Sequence, residues 1–226
     1  MIEILYKNEN LIAVYKPAGI PSQSDTTGDE DAMGLVSRAL AELGEDSRLW
    51  LVHRLDRVVG GLIIFARNKK SAALLSELVS GEGIGKKYFA VCDGAVCEKS
   101  HMTDYLYKDA RQNIAVVCDK LKSGAKKAEL ICEPIATEKT EKGEKTLLKI
   151  TLLTGRFHQI RAQLSSRGFS ITGDKKYGSR DFGARDIALY SGHLSLWAGK
   201  EKIHISSHPP LENYPWNLFS EDKYNI

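Results

Sequence analysis

Short apolar runs, some alternating and some continuous, recur along the chain between polar or glycine–proline clusters and predict an α+β protein. Residues 2–6 and 11–15 read as strands around a Lys-Asn-Glu-Asn turn, and the KPAGIP stretch at 16–21 then stops regular structure. A polar loop at 22–28 leads to a helix at 31–43, with Leu35, Val36, Leu40 and Leu43 as its apolar positions and Gly44 closing it. Residues 51–67, LVHRLDRVVGGLIIFAR, set a charged turn against Leu62 to Phe65, an apolar run with the composition of a buried strand. Asn68 is the expected N-cap of a helix at 69–79 with Leu74, Leu75 and Leu78 on one face. A glycine-rich link at 81–85 enters a strand at 86–91.

Residues 94–113 read as polar and irregular, followed by strands at 114–118, 128–134 and 146–153, with 137–145 as an exposed, solvated hairpin tip. Residues 154–164 pass from strand to helix. Thr154 is the candidate N-cap, Phe157, Ile160 and Leu164 share one face, and His158 and Arg161 are neighbours three positions apart. Gly168 ends that helix, 173–178 is a turn, 188–197 and 202–206 are strands, and the tail closes on Trp216, Leu218 and Phe219. With no composition break or repeat, the expectation is one domain over 1–226, built on a large, mixed, mostly antiparallel sheet flanked by helices.

Composition narrows the function classes. The 226 residues are 42% hydrophobic and 27% charged, ordinary for a soluble globular chain. No run of 18 apolar residues occurs and the first 20 lack a signal-peptide layout, so a cytoplasmic protein without membrane association is expected. Cys92, Cys97, Cys118 and Cys132 form no C-x-x-C pair and have no nearby His ladder; reduced thiols are expected, with no metal and no disulfide. Net charge is only +3, yet basic residues cluster at 86–87, 120–127, 156–167 and 175–180. Gathered by a fold, those clusters would make a phosphate-binding face.

The chemistry centres on His53, Arg54, Asp56 and Arg57, a turn that delivers a carboxylate to the mouth of a buried strand. Tyr88 in KKYFAV and Arg161 in GRFHQIR stand out beside it. The order HRLD plus apolar strand, K-K-Y-x-A-V, T-G-R-x-H-Q-I-R and G-D-x-x-Y-G resembles the RluA-type pseudouridine synthases, as does the opening ILYKNENLIAVYKPAGIPSQ. The resemblance runs from about residue 2 to 210 and implies a mixed sheet with a deep central catalytic cleft. It implies isomerisation of an RNA uridine: the N1–C1′ bond breaks, the base turns, and C5 bonds to C1′.

Residue by residue, Asp56 matches the catalytic aspartate, Tyr88 the tyrosine that stacks on the target uracil, and Arg161 the arginine that pairs with the aspartate. Arg54 matches an arginine that helps hold RNA, Lys87 and Arg156 are candidate RNA contacts, and His53 and His158 are expected to be structural or RNA-contacting rather than participants in a chemical step. The implied partner is structured ribosomal or transfer RNA, the protein a monomer, and no cofactor is needed because the reaction adds and removes no atoms. It requires an ionised carboxylate beside the ribose, attacking C1′ or taking a sugar proton. A nearby arginine opposes the desolvation that would neutralise that carboxylate. A flipped base needs an aromatic face to steady it.

The chain departs from the family pattern at Val59-Gly60, where Thr-Ser usually precedes Gly61, at Phe157, where Thr is usual, and at Tyr190 to His193. These departures bear on pocket shape and on which uridine is accepted. No S4-type module precedes residue 2, so the catalytic domain, alone or with a partner, is expected to recognise the RNA. Two other readings stand beside the isomerase: a catalytically silent RNA binder on the same fold, and a nucleoside hydrolase or glycosidase. The last typically needs a second catalytic carboxylate or a metal cluster, and no second acid sits in a comparably marked context.

Overall fold

The strand that carries the HRLD turn is β4 (Gly60–Ala66), and every one of its residues is buried. It is described here in a computed structural model covering residues 2–81, 83–198 and 201–225. Glu82, inside the expected glycine-rich link, lies outside the described residues. The chain divides into two compact units, Met1–Lys86 with Tyr190–Pro209, and Lys87–Leu189 with Pro210–Ile226.

In the first unit β1 (Ile4–Lys7) pairs antiparallel with β2 (Leu11–Lys16), and β2 antiparallel with β4. The other edge of β4 is shared. β3 (Trp50–Leu51) pairs antiparallel with Phe65 and Ala66, and β10 (Leu189–Ala198) pairs parallel with Gly60 and Gly61. β11 (Glu201–Ser206) completes a hairpin with β10. Alternation along β4 sends Leu62, Ile64 and Ala66 to one face, where they meet Leu11, Ala13, Leu75, Leu194 and Leu196. Each buried leucine or isoleucine there contributes about 1.5–3 kcal/mol by leaving water.

The helices follow their caps. α1 (Ala32–Glu42) starts at Asp31, whose side chain accepts from the Gly34 N–H, and α2 (Lys69–Ser80) starts at Asn68, which accepts from Ser71. Their apolar faces are narrower than the sequence suggests. Leu43 and Leu74 are exposed, and Leu75 alone of the expected α2 leucines is fully buried, because each helix lies on only one side of its neighbours.

In the second unit β5 (Ile84–Asp93), entering at Lys87, is followed in space by β9 (Gly143–Leu152), β8 (Lys126–Thr140), β6 (Ser100–Asp109) and β7 (Ile114–Cys118). The β9–β8, β8–β6 and β6–β7 pairs are antiparallel. β4 with β10 is parallel, giving the α+β, mixed and mostly antiparallel arrangement expected. β6 falls where the sequence reads as irregular. Only Met102 and Leu106 are buried along it, so its apolar signal is too sparse to register. The 137–145 segment is the hairpin tip expected, exposed at 137–139 and 141–144 with the β8–β9 ladder running up to Thr140 and Gly143, but Lys145 departs from expectation, 1% exposed in an ion network.

α3 (Gln159–Ser165) is shorter than expected and begins after His158, not at Thr154. Thr154 is instead tied to a strand backbone and a helix side chain: its hydroxyl accepts from the Glu129 N–H at 2.8 Å and donates to Gln159 Oε1 at 2.8 Å. Phe157 therefore precedes the helix, packed beside Leu106, Ala115, Ala128, Ala162 and Tyr177. Short 3-10 turns follow at Lys175–Tyr177, Trp216–Leu218 and Glu221–Tyr224. The tail is anchored by buried Tyr224, whose hydroxyl donates to the Trp216 carbonyl at 2.6 Å.

Candidate active site

In the first unit, the turn bearing Asp56 is fixed from three sides. Ser22, buried, uses one hydroxyl twice: it accepts from the Leu55 N–H at 3.0 Å and donates to the Leu55 carbonyl at 2.9 Å. The turn closes on itself, with Val59 N–H donating to the Asp56 carbonyl at 3.0 Å. On the far side Lys16, fully buried, donates to the carbonyls of Pro17 at 2.9 Å, Ile20 at 2.7 Å and Arg57 at 3.3 Å. Gly19 N–H and Arg57 Nε complete the link in both directions, at 2.8 and 2.9 Å. Arg57 then reaches Asp29 in an exposed ion pair.

The two glycines after the turn serve different ends. Gly61 has φ +117, and a Cβ there would sit 2.4 Å from the Ser191 carbonyl oxygen, so only glycine permits the parallel approach of β10. A Cβ on Gly60 would meet its neighbours at 3.5 Å or more, ordinary contact. Val59, where the family pattern has a hydroxyl residue, is buried. The departure thus exchanges a polar side chain for core packing and leaves the turn's backbone bonds in place.

The sequence-derived candidates of this unit separate by environment. Asp56 is half-buried, whereas Arg54 is exposed and has no ion pair among the described residues. His53 does something local. Its Nε2 accepts from the Ile64 N–H at 3.1 Å, the amide lying between the stretches of β4 that β3 and β10 pair with. Burial first, and Lys86 second, push the imidazole down to about 3, so the ring is neutral with its proton on Nδ1.

In the second unit, the GRFHQIR and GDKKYG motifs interlock. Arg161 and Asp174, 4% and 1% exposed, form a two-pronged pair with Nε–Oδ2 at 2.6 Å and Nη2–Oδ1 at 2.8 Å. The Tyr177 ring lies against the guanidinium, 4.8 Å from its carbon. Tyr177 is also held by its hydroxyl, which accepts from Ala115 N–H at 2.7 Å and lies 2.9 Å from His158 Nδ1. His158 takes a left-handed conformation, φ 50, immediately before α3, and stacks on Phe157 at 3.8 Å. Burial, then the charge of Arg161, holds its imidazole down at about 3.

Gln159 stitches the helix start to β8. Its Nε2 donates to the Glu129 carbonyl at 3.0 Å while its Oε1 accepts from Arg156 N–H. Arg156 is exposed and donates from Nε to the Lys127 carbonyl at 2.8 Å. Tyr88 is buried on β5 and Lys87 is half-buried beside it.

The structure therefore adds four residues that sequence reasoning passed over: Ser22 and Lys16 around the Asp56 turn, and Asp174 and Tyr177 around Arg161. The last two stood in plain view as part of G-D-x-x-Y-G, but their roles appear only when the turn is folded against α3. Among the described residues no group of three or more His, Cys, Asp or Glu side chains is placed to hold a metal ion, and all four cysteines are free. No helix among them is long and apolar enough to cross a membrane.

The first unit thus holds a carboxylate on a clamped turn before a buried strand, and the second a buried arginine in a carboxylate fork, on an α+β fold. The family described as RNA pseudouridylate synthase matches residues 10–166, and the chain belongs to that family of isomerases acting on uridine in RNA. It is 29% identical over 184 residues to the ribosomal large subunit pseudouridine synthase D of Zymomonas mobilis, covering 78% of this chain and 56% of that one. It is 28% identical over 186 residues to the tRNA pseudouridine synthase C of Haemophilus ducreyi, covering 78% and 74%. In fold it is similar to human RNA pseudouridylate synthase domain containing 1, with TM-score 0.77, 18% identity, and 93% and 84% of the two chains covered.

Proposed function

We propose that this protein converts one or more uridines of ribosomal or transfer RNA to pseudouridine, with Asp56 as the catalytic carboxylate. The observation that carries the reading is the Asp56 turn itself, clamped through Ser22, Lys16 and Arg57 so that a half-buried carboxylate is held before β4. Preorganisation of this kind lets a group act without reordering its surroundings during the reaction. In the reaction, the glycosidic N1–C1′ bond breaks, the freed uracil turns, C5 bonds to C1′, and the proton lost from C5 is balanced by one gained at N1. Asp56 acts at the sugar, either on C1′ or on a sugar proton. Tyr88 gives the extruded base an aromatic face, and Arg161, held by Asp174 and Tyr177, supplies the positive charge that the family's chemistry uses.

Exposed Arg54 and Arg156, with Lys87, contact the RNA backbone in this reading. His53 and His158 position the turn and the helix start as neutral rings. The protein works as a monomer in the cytoplasm. Supporting the choice of RNA are the two relatives named for ribosomal and transfer RNA, each matched over 78% of this chain.

The test is pseudouridine mapping of total RNA from cells lacking the protein, complemented with wild type or Asp56→Ala. Sites lost in the deletion and restored by wild type alone are the expected result. An unchanged map, with purified protein still binding RNA, would replace the isomerase with a silent RNA binder.

A further inference from the structure

Phe182 is 64% exposed in a stretch rich in cations: Lys175, Lys176, Arg180 and Arg185. A single exposed apolar side chain is ordinary on a protein surface. Here the backbone beneath it is tied down far more tightly than a solvated loop needs. The neighbouring Asp181, 5% exposed, accepts from Lys142 at 2.8 Å, from the Gly183 N–H at 2.9 Å and from the Tyr214 hydroxyl, and pairs with Lys145 at 2.9 Å. Lys145, itself buried, bridges on to Asp93 at 2.6 Å, and Asp93 is further held by Thr172 and Ser179 at 2.7 Å each. The other end of the loop rests on Gly173, φ +83, where a Cβ would lie 2.9 Å from the Asp186 carbonyl oxygen.

The ring is thus presented on a fixed base. Lys175 Nζ lies 5.0 Å from its centroid, a cation–π contact that orients a charge at the ring without covering most of it. Asp181, next to Phe182 in the chain, shares with Lys142, Lys145, Ser170 and Arg180 the lining of a cavity of about 290 Å³, roomy enough for a phosphate. The two acids that also line it, Asp93 and Asp181, are both engaged by Lys145. Arg180 is exposed and has no bond or ion pair among the described residues.

We propose that Phe182 is a stacking platform for an unpaired base of the substrate RNA, with Lys175, Arg180 and Arg185 taking the flanking phosphates. The inference rests on the RNA reading above and adds a contact to it. An aromatic face interleaved with cations is the general solution for gripping unstacked nucleic acid, because every base has a π-face and every nucleotide a charge. The ion network serves this by holding Asp181, and with it Phe182, in one place, which lowers the ordering cost of binding. A protein partner docking on Phe182 would use the same exposure but would leave binding of naked RNA unaffected.

The experiment compares Phe182→Ala, Phe182→Leu and Phe182→Tyr with wild type. Affinity is read by fluorescence anisotropy on a labelled oligouridylate of about 12 nucleotides. Turnover is read on total transfer and ribosomal RNA from cells lacking the protein. The alanine and leucine variants are expected to bind about 5–10-fold more weakly, the lower part of the range for loss of one stacked base, and to raise KM with kcat unchanged. The tyrosine variant should stay within about twofold, because a ring and not mere apolarity is required. Arg180→Gln with Lys175→Gln should flatten the salt dependence, each lost phosphate contact removing about 0.7 from the logarithmic slope.

Wild-type affinity and KM in the alanine variant, with modification intact, would overturn the platform alone. Equal weakening in leucine and tyrosine variants would overturn stacking. A wild-type protein that modifies no RNA would overturn the reading beneath it.

Discussion

Removal of the Asp174 charge is the sharpest test of how the second unit holds Arg161. Asp174→Asn keeps the shape of the side chain but turns one acceptor into an NH2 group facing a guanidinium N–H. The pair is 4% and 1% exposed, and both of its bonds are shorter than 3 Å, so Arg161 would lose these two bonds to a carboxylate in a dry site. Breaking a buried ion pair from one side costs about 3–5 kcal/mol. For a chain of this length that is about 6–20 °C in Tm, at 2–4 °C per kcal/mol. Arg161→Met should cost a similar amount by stranding the Asp174 carboxylate.

Replacing both, as Arg161→Met with Asp174→Leu, removes the stranded charge and should be less destabilising than either single change. Urea unfolding followed by circular dichroism, on wild type, Arg161→Met, Asp174→Leu and the double variant, gives all four corners of the cycle. Strict additivity of the two single effects, or a loss under about 1 kcal/mol for Asp174→Asn, would refute the claim that the carboxylate fixes this arginine. The double variant also separates folding from chemistry: it should be folded, and it should modify no RNA.

Three further outcomes follow from the geometry. Gly61→Ala should lose at least about 3 kcal/mol or fail to accumulate as soluble protein, because φ +117 and the Ser191 carbonyl leave no place for a methyl group. Gly60→Ala, with ordinary contacts only, should cost under about 1 kcal/mol, and equal damage from both would sink the close-approach argument. Ser22→Ala leaves the Leu55 N–H without its partner and should cost about 1–3 kcal/mol, together with a fall in kcat as the Asp56 turn loosens; unchanged kcat would detach the clamp from function.

The pH dependence has a defined sign. His53 and His158 are held at about 3 in the folded protein against about 6.5 when unfolded, so the unfolded chain binds up to two more protons between those values. Stability from this source is complete above about pH 6.5 and is lost as pH falls toward 3. Urea midpoints measured between about pH 5 and 6 should fall with acidification, and His158→Gln should roughly halve that slope. A flat profile in that window would show that the rings are not held neutral.

Much of this molecule is legible in its sequence. β4 announces itself as Leu62 to Phe65 between turn glycines, Asn68 as a cap, and Asp56, Tyr88 and Arg161 by the motifs around them, because these signals are local: apolar period, cap chemistry and residue spacing. β6 was not legible, since a strand with Met102 and Leu106 as its only buried residues is stabilised by its neighbours β8 and β7 and not by its own pattern. Nor was the start of α3, where a left-handed His158 and the side-chain bonds of Gln159 override the Thr154 cap signal.

The burial of Lys145 is the same lesson in another form. A lysine in a charged hairpin looks solvated until Asp93 and Asp181, 52 residues before and 36 after it, supply the carboxylates that make burial tolerable. The sequence by itself determined most of the element types and the family, because each is carried by residues close together in the chain. Only the tertiary structure decided that Ser22 and Lys16 clamp the acid's turn and that Asp174 and Tyr177 hold the arginine. Those bonds join residues 13 to 41 positions apart, and no local pattern constrains which distant donor meets which acceptor.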